Sequence, residues 1–443
     1  MVKKRLLNPL SAVRDFLDHG SDFGSGTQVP SRHLSEINDR FMRDFPDIRS
    51  GKAFIGLAMA AMKSAPKFGA VAIRMPVSKD DGEDENEAKA IERLFKAGKI
   101  IDPLVQSKKG MWGPLDPFTL VCFFPGKDRN ICEAAAAQMR YDLSALGKEG
   151  VFIGVADYPR HGFLRGQVLD NARKALAEAL MTGPGSIVTF NAVSLNVSGD
   201  ELYEKGEVDW AVEEFKMALV MDPLNLNVIN SLGVCHGVLG RHEEALAEFK
   251  RAIEIDPSQV MPIYNAGFVS ACLGRHDQAF GYFRKAEEIG ENVFEVSFQT
   301  GKLLLEMDNP EKAAEYFEKA ADIRPENAPT AFFLGECRVA AGMIEEAEFC
   351  YKKAVKNNPN DALSLSALGH LYETSGKNLE IAEMFCRESV KLVPENGLFR
   401  HRLGRVYFKQ KRFPQALAEF KKAGELGHDS RADIEKIKGA GRG

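Results

Sequence analysis

The sequence predicts a chain of two parts: an α/β or α+β region in the first 191 residues, then an all-α superhelical solenoid of seven repeats. Two observations lead to this prediction. In the first part, apolar segments of strand length alternate with segments of helical periodicity. In the second part, small residues and prolines recur at intervals of 34 or 35 residues, which is enough chain for two short helices.

The first part contains four predicted strands separated by three predicted helices. A strand is short and rich in apolar residues, whereas a helix shows apolar residues three or four positions apart. In chain order the elements are a strand at 68–76, a helix at 85–98, a strand at 118–126, a helix at 128–146, a strand at 151–159, a helix at 166–180 and a strand at 186–191. This alternation predicts helices packed on a sheet.

Three phrases of the first part resemble the diguanylate cyclase (GGDEF) family. GVADYPRHG, followed by LDNARKALAEALMTGPGSIV, is similar to the closing third of that domain, at 154–188. DFGSGTQVPSRHLSEINDRF at 22–41 is similar to its opening segment, and 110–126 lies where its signature hairpin is expected. The resemblance implies a nucleotide cyclase fold.

The same region departs from the family at the positions that carry its chemistry. Active members place Gly-Gly-Asp/Glu-Glu-Phe at the hairpin, whereas this chain reads PLDPF at 114–118. The prolines remove backbone donors, and Asp116 alone cannot hold two metal ions. The family's first-strand aspartate falls in the segment 73–76, which offers Arg74 instead. The upstream Arg-x-x-Asp inhibition site is also missing. We therefore expect no enzymatic activity, no catalytic residue, no metal and no cofactor.

The second part repeats four landmarks in a fixed register. The glycines are Gly199, Gly233, Gly267, Gly301, Gly335, Gly369 and Gly404. The alanines are Ala211, Ala245, Ala279, Ala313, Ala347, Ala382 and Ala416. The ring position holds Phe215, Phe249, Phe283, Phe317, Tyr351 and Phe420, with Cys386 as the exception. Prolines close five units, at Pro223, Pro257, Pro325, Pro359 and Pro394.

This pattern resembles the tetratricopeptide repeat over residues 192–428. The resemblance implies two helices per unit, a close approach at the small landmark residues, and stacking that buries each unit's apolar stripe. A further glycine, such as Gly240, lies between the paired helices, where a residue tolerant of positive φ ends a helix. The predicted organisation is an N-terminal helix or linker at 1–20, a degenerate GGDEF-like domain at 21–191, seven repeats at 192–428, and a cap and tail at 429–443.

Composition and charge exclude several classes of function. Residues 1–192 carry 27 Lys and Arg against 23 Asp and Glu, which leaves 31 basic and 40 acidic residues of the totals of 58 and 63. Neither part is basic enough to indicate nucleic-acid binding. No apolar run approaches the length of a membrane-spanning segment. The seven cysteines are scattered and never form CxxC, so we expect reduced, buried thiols and a cytoplasmic protein.

In tetratricopeptide arrays the first helix of each unit lines a concave face. The resemblance implies which residues of this chain form that face. An apolar band in its middle and a basic end predict a peptide or helix that is apolar in its middle and acidic at one end. The open alternative is that some rings pack between adjacent first helices. The predicted groove residues are Asn227, Asn230, Ser231, Tyr264, Asn265, Phe268, Phe298, Gln299, Lys302, Phe332, Phe333, Glu336, His370, His401, Arg402, Arg405 and Lys409.

Two hypotheses of function remain open on the sequence alone. The first is a non-enzymatic scaffold that binds an unidentified protein in the groove, with the inactive first domain as a second docking surface. The second is a regulator whose first domain binds GTP or a cyclic dinucleotide without turning it over.

Overall fold

The computed structural model describes residues 44–46, 48–49, 51–76, 83–116, 118–146, 150–290 and 293–440. The predicted N-terminal segment 1–20 and the GGDEF-like phrase at 22–41 lie outside these ranges. The described chain forms two compact units, and the boundary between them along the sequence falls between Ile255 and Asp256. We call them the first unit and the second unit, and each is described by itself.

The first unit contains a five-stranded sheet, the helices around it and two helical hairpins. The sheet region comprises α1 (Gly51–Ser64), β1 (Phe68–Arg74), α2 (Glu83–Ser107), β2 (Met111–Asp116), β3 (Thr119–Pro125), α3 (Arg129–Leu143), β4 (Phe152–Tyr158), α4 (Val168–Thr182) and β5 (Ile187–Thr189). The hairpins comprise α5 (Ala192–Glu204), α6 (Val208–Met221), α7 (Leu226–Val238) and α8 (His242–Ile255).

The sheet is mixed, with strand order β2-β3-β1-β4-β5. β1 is antiparallel to both β3 and β4, β2 is antiparallel to β3, and β4 is parallel to β5. All four predicted strands and all three predicted helices are present, and β2 with β3 forms the hairpin expected at 110–126. α1 is an additional element that the sequence reasoning did not identify.

The sheet and the first helical hairpins share one hydrophobic core. Phe54 of α1, Phe68 of β1 and Phe190 after β5 belong to the same buried cluster as Phe215 of α6 and Cys235 of α7. The predicted domain boundary at 191/192 therefore lies inside a continuous core. The boundaries of the four predicted segments, 1–20, 21–191, 192–428 and 429–443, stay predictions.

The second unit consists of five further helical hairpins and a final helix. The helices are α9 (Val260–Cys272), α10 (His276–Ile289), α11 (Phe294–Glu306), α12 (Pro310–Ile323), α13 (Ala328–Ala340), α14 (Ile344–Asn357), α15 (Ala362–Thr374), α16 (Leu379–Leu392), α17 (Gly397–Lys409), α18 (Phe413–Glu425) and α19 (Arg431–Ala440). Ile434 and Ile437 of α19 join the cluster that contains Phe420 of α18. α19 therefore packs against the last hairpin, and its role as a cap stays a prediction.

Each repeat brings its landmark glycine against the ring position of its second helix. A Cβ atom at Gly233 would lie 2.6 Å from the Phe249 ring, and one at Gly301 would lie 2.9 Å from the Phe317 ring. In the sixth repeat a Cβ atom at Gly369 would lie 2.5 Å from the Sγ of Cys386, so the exception to the aromatic position keeps the same close approach. The predicted close approach of paired helices is confirmed.

The turn within each hairpin contains a residue in the left-handed backbone conformation. Gly206, Gly240, Gly274, Gly342 and Gly376 have φ between 67° and 80°. In the fourth and seventh repeats Asp308 and Lys411 take this position, with φ of 60° and 62°. Within the described ranges, no helix has both the length and the apolar character needed to cross a bilayer.

Candidate functional site

Three predicted groove residues lie on α7 in the first unit. Asn227 is exposed, whereas Asn230 and Ser231 are half-buried. The remaining predicted residues lie in the second unit, on the first helices of its five hairpins. Most of the predicted groove residues therefore belong to the second unit.

Aromatic rings of α11 and α13 form the centre of this face. The Phe298 ring centroid lies 5.8 Å from that of Phe333 at an interplanar angle of 68°, and Phe333 stacks on Phe317 at 5.4 Å. Phe298 and Phe333 are half-buried. We call Phe298, Phe333 and Lys302 the aromatic cluster. Its rings pack adjacent repeats together, and both remain partly accessible to solvent.

Two of the predicted rings are buried rather than exposed. Tyr264 is 4% exposed and Phe332 is 7% exposed, and Phe332 packs against Phe333 and Tyr351. Burial raises the pKa of the Tyr264 hydroxyl, which also contacts the buried Gln299 side chain. These two rings pack between helices, as the alternative interpretation proposed. The exposed apolar band on this face is therefore narrower than expected. Asn265 and Phe268 are half-buried.

Lys302 gives the aromatic cluster a cation. Its Nζ lies 5.9 Å from the Phe298 centroid and 6.0 Å from that of Phe333, which is cation–π distance. Burial lowers the pKa of Lys302, while Glu306 acts in the opposite direction. The ammonium therefore sits at the edge of an apolar surface, where it can bind a carboxylate beside an apolar side chain.

The predicted basic end is organised around a buried acid, Glu373, which is 1% exposed. Its carboxylate lies 3.1 Å from Arg405 Nη2, 3.0 Å from Lys409 Nζ and 3.3 Å from His370 Nδ1. We call these four residues the Glu373 cluster. The chain's own carboxylate therefore neutralises part of the charge of the predicted basic end.

The cluster controls the ionisation of its carboxyl group. Burial alone would raise the pKa of Glu373, but His370, Lys409 and Arg405 outweigh burial and lower it to about 2. The side chains of Arg405 and Lys409 each remain 39% exposed. Both cationic side chains are therefore only partly covered by the protein.

The other two basic residues are engaged elsewhere. Arg402 Nη1 donates to Ser366 Oγ at 3.0 Å, and burial lowers the pKa of its guanidinium. His401 faces the final helix, with Nδ1 2.8 Å from Ser430 Oγ and Nε2 3.6 Å from Asp433 Oδ2. His401 is thus a contact of the cap. Glu336 accepts a hydrogen bond from the Tyr351 hydroxyl.

In the sheet of the first unit, the structure describes most of the positions at which the sequence departs from the GGDEF pattern. Arg74 ends β1, and its guanidinium lies over the Phe118 ring at 5.6 Å. Pro114 lies within β2, and the register of the hairpin shifts between Pro114 and Asp116. In the part of the chain that the structure describes, no three His, Cys, Asp or Glu side chains are grouped to hold a metal ion.

Sequence reasoning missed Glu373 and Ser366. Both lie on α15 with His370, at positions that share one side of a helix, in an otherwise apolar segment ALSLSALGHLYET. That polar line is the signal that could have identified them. The partners Arg402, Arg405 and Lys409 belong to the next repeat, so only the stacking of repeats brings the cluster together.

Comparison with known families identifies the repeats. Tetratricopeptide repeat models match residues 197–260 and residues 304–371. The prediction of tetratricopeptide repeats is confirmed for these segments. Neither match reaches into residues 21–191, so the GGDEF resemblance has no support from this comparison. None of the curated proteins compared with the chain matches it.

Solved structures of repeat proteins are similar to this chain at low sequence identity. A tetratricopeptide repeat protein from Parabacteroides merdae ATCC 43184 is 19% identical, with 56% of this chain and 96% of that chain covered and a TM-score of 0.44. YrrB is 22% identical, with 43% and 97% covered and a TM-score of 0.38. A chain of the Cut9–Hcn1 complex of the APC/C is 16% identical, with 60% of this chain and 52% of that chain covered and a TM-score of 0.47. At these scores the similarities carry no conclusion on function.

Proposed function

We propose that this chain is a non-enzymatic scaffold that binds a peptide or helix of a partner protein on the first helices of its tetratricopeptide repeats. The observation that carries the proposal is the aromatic cluster. Its two half-buried rings and one ammonium lie on α11 and α13, and Phe333 lies within the segment 304–371 that matches the repeat family. Large aromatic rings beside a cation are typical anchors of protein interfaces.

The chemistry of this face defines the expected ligand. Phe298 and Phe333 offer apolar surface, and Lys302 offers a charge next to it. The side chains of Arg405 and Lys409 are partly exposed and can receive an acidic side chain or a chain terminus in addition to Glu373. The ligand that fits is a segment with an apolar middle and an acidic end.

For residues 21–191 we propose a degenerate GGDEF-like domain that serves as a second docking or regulatory surface. The hairpin at the expected position and the β4–α4–β5 succession support the resemblance. The alternative, a domain that binds GTP or a cyclic dinucleotide, is not favoured by any observation in the described residues.

The proposal is tested with full-length protein and the variant Lys302→Glu. Reversing this charge places a carboxylate beside the rings and repels an acidic ligand, whereas the packing of Phe298 and Phe333 is kept. Partners captured from a native lysate by wild type and variant are compared by quantitative mass spectrometry. We expect a set of proteins bound by the wild type to be lost from the variant.

The matched control is Lys312→Glu, because Lys312 is exposed on α12, the second helix of the same repeat. This variant should keep every wild-type partner. Retention of the whole set by Lys302→Glu would show that the aromatic cluster is not the binding surface.

A further inference from the structure

The final helix, α19, is held to the last hairpin by few contacts. Ile437 is buried and Ile434 is half-buried in the cluster that contains Phe420 of α18, whereas most other described positions of α19 are exposed. The helix has 10 residues, and helices shorter than about 12 residues are marginal when they are isolated in water. α19 therefore depends on its contacts with the last hairpin, and it melts when it loses them.

His401 of α17 makes the polar contacts with this helix. Its Nδ1 lies 2.8 Å from the Oγ of Ser430, the residue before α19, and its Nε2 lies 3.6 Å from Oδ2 of Asp433. In the described part of the chain, the side-chain hydrogen bond and the histidine–carboxylate contact that join 430–440 to an earlier helix both involve this ring. The imidazole is therefore the polar attachment point of α19.

A second imidazole lies against the first. The ring centroids of His401 and His428 are 4.5 Å apart, and the Phe420 ring lies 5.2 Å from His401 on the side of α18. Two protonated rings at this separation would repel each other. Only 13% of the His401 side chain is exposed, so a proton on this ring would be poorly solvated.

The two acids that act on these rings already have cationic partners. Asp433, which faces His401, pairs with Lys436 at 2.8 Å. Asp429, which lies next to the second ring, pairs with Arg431 at 2.8 Å. A proton taken up by either ring therefore meets a carboxylate that is shared with another cation.

The other charges around the two rings are positive. Arg405 of α17 acts on His401, as does His370 of α15 when it is protonated. Arg402 of α17 acts on His428. Burial, and then the neighbouring ring, lower the pKa of His401 to about 4, and burial followed by the charge of Arg402 lowers the pKa of His428. The docked arrangement of α19 thus favours neutral rings.

The direction of the pH dependence follows from these pKa values. Once α19 is detached, His401 is solvated and titrates near its ordinary pKa of 6.5, whereas in the docked state it titrates near 4. The docked state is therefore fully favoured above pH 6.5 and becomes less favoured as the pH falls towards 4. Between pH 7 and pH 4.5, His401 alone shifts the equilibrium towards detachment by about 50-fold.

We propose that α19 is docked on the last hairpin at neutral pH and is released when His401 and His428 are protonated, while the repeats stay folded. Leu403 and Val406 belong to the same buried cluster as Ile437. Release of α19 therefore uncovers an apolar end of the last hairpin. This regulation goes beyond the scaffold function and does not depend on what the repeats bind.

The test is hydrogen–deuterium exchange of the full-length protein at pH 7 and pH 4.5, measured by mass spectrometry and corrected for the intrinsic effect of pH on exchange. Peptides from α19 should lose at least about tenfold of their protection at the lower pH. Peptides from α11, in the same unit, should change by less than about threefold. The Glu373 cluster keeps its charge at pH 4.5, because the pKa of its carboxyl group is about 2.

Glutamine variants establish whether the two histidines cause the release. The double variant His401→Gln/His428→Gln cannot take up these protons, and the protection of α19 should differ by less than about twofold between the two pH values. If this variant fails to dock α19 at pH 7, His428→Gln alone should still show a smaller loss than wild type. His161→Gln, at an exposed site of the first unit, is the matched control and should show the full loss.

Three results would overturn the proposal. They are equal protection of α19 at both pH values, an equal loss of protection in α11, and a loss in the glutamine variants as large as in wild type. The second result would mean that the whole unit unfolds in acid rather than releasing one helix.

Discussion

A glycine and a ring set the distance between the two helices of a repeat. At Gly199, Gly267 and Gly335 a Cβ atom would lie 2.5–2.7 Å from the ring of the paired helix. Each of those rings is almost fully buried and has no room to move aside. Because glycine has no side chain at this position, the two helices can pack this closely.

We predict that the same substitution has opposite effects at two helical glycines. Gly301→Ala should destabilise the protein by about 1–3 kcal/mol, because its methyl group overlaps the Phe317 ring. Gly281→Ala should stabilise it by about 0.5–1 kcal/mol, because its methyl group meets nothing within 4 Å and alanine favours the helix. Urea unfolding measures both. Equal changes in the unfolding midpoint would contradict the packing role of Gly301.

Glu373 should make the second unit sensitive to acid. The pKa of this carboxyl group is lowered from 4.5 to about 2, so its stabilising effect is complete above about pH 4.5 and is lost as the pH falls towards 2. Glu373→Gln should cost about 3 kcal/mol at pH 7, since it leaves Arg405 and Lys409 without their acid.

The difference between wild type and Glu373→Gln should shrink as the pH is lowered from 5 to 3 in urea unfolding experiments. Glu388→Gln serves as the control, because Glu388 forms only a surface pair with Lys391 and should change stability by less than about 0.5 kcal/mol. A difference that stays constant over this range would show that Glu373 is not the titrating group.

At the scale of elements, the final helix contacts a histidine, His401, whose surroundings disfavour its protonated form. Burial, and then the neighbouring His428, lower the pKa of His401 from 6.5 to about 4. Ser430 and Asp433 face the ring from the cap, Phe420 faces it from α18, and the charges of Arg405 and His370 also act on it. Protonation would place a cation against an already basic surface.

We therefore predict that the C-terminal repeat loses about 1–3 kcal/mol of stability as the pH falls from 6.5 to 4. The sign follows from the lowered pKa, because the folded state binds the proton less readily than the unfolded state. His401→Leu should flatten this dependence, measured as the melting temperature at several pH values. His161→Leu, at an exposed site of the first unit, should leave the dependence unchanged.

The repeat helices could be predicted from the sequence because each landmark is set by contacts within one hairpin. Gly233 and Phe249 belong to the same repeat, so their fixed spacing in the sequence predicts their contact. α1 could not be predicted in this way, because GKAFIGLAMAAMKS is apolar on both faces and shows no clear period. The burial of Tyr264 and the pairing of Glu373 with Arg405 depend on neighbouring helices, which spacing within a repeat does not record.

At the scale of the whole molecule, we predict that the protein forms no cyclic dinucleotide. Phosphoryl transfer needs metal ions held by acids, and β1 ends at Arg74 where the family resemblance places an acid. Full-length protein is incubated with GTP and magnesium, and the products are separated by chromatography. An active diguanylate cyclase serves as the positive control. A cyclic dinucleotide above background would overturn our interpretation of the PLDPF hairpin.

During synthesis, the sheet of the first unit leaves the ribosome before the helices that complete its core. The last strand ends at Thr189, whereas Phe215 and Cys235 belong to the same buried cluster as Phe68 and Phe190. At about 5–20 residues per second, translation from Thr189 to Cys235 takes on the order of seconds. For that time the nascent sheet exposes apolar surface that chaperones would have to shield. A chain terminated before α7 would keep that surface exposed and become a substrate for aggregation and proteolysis.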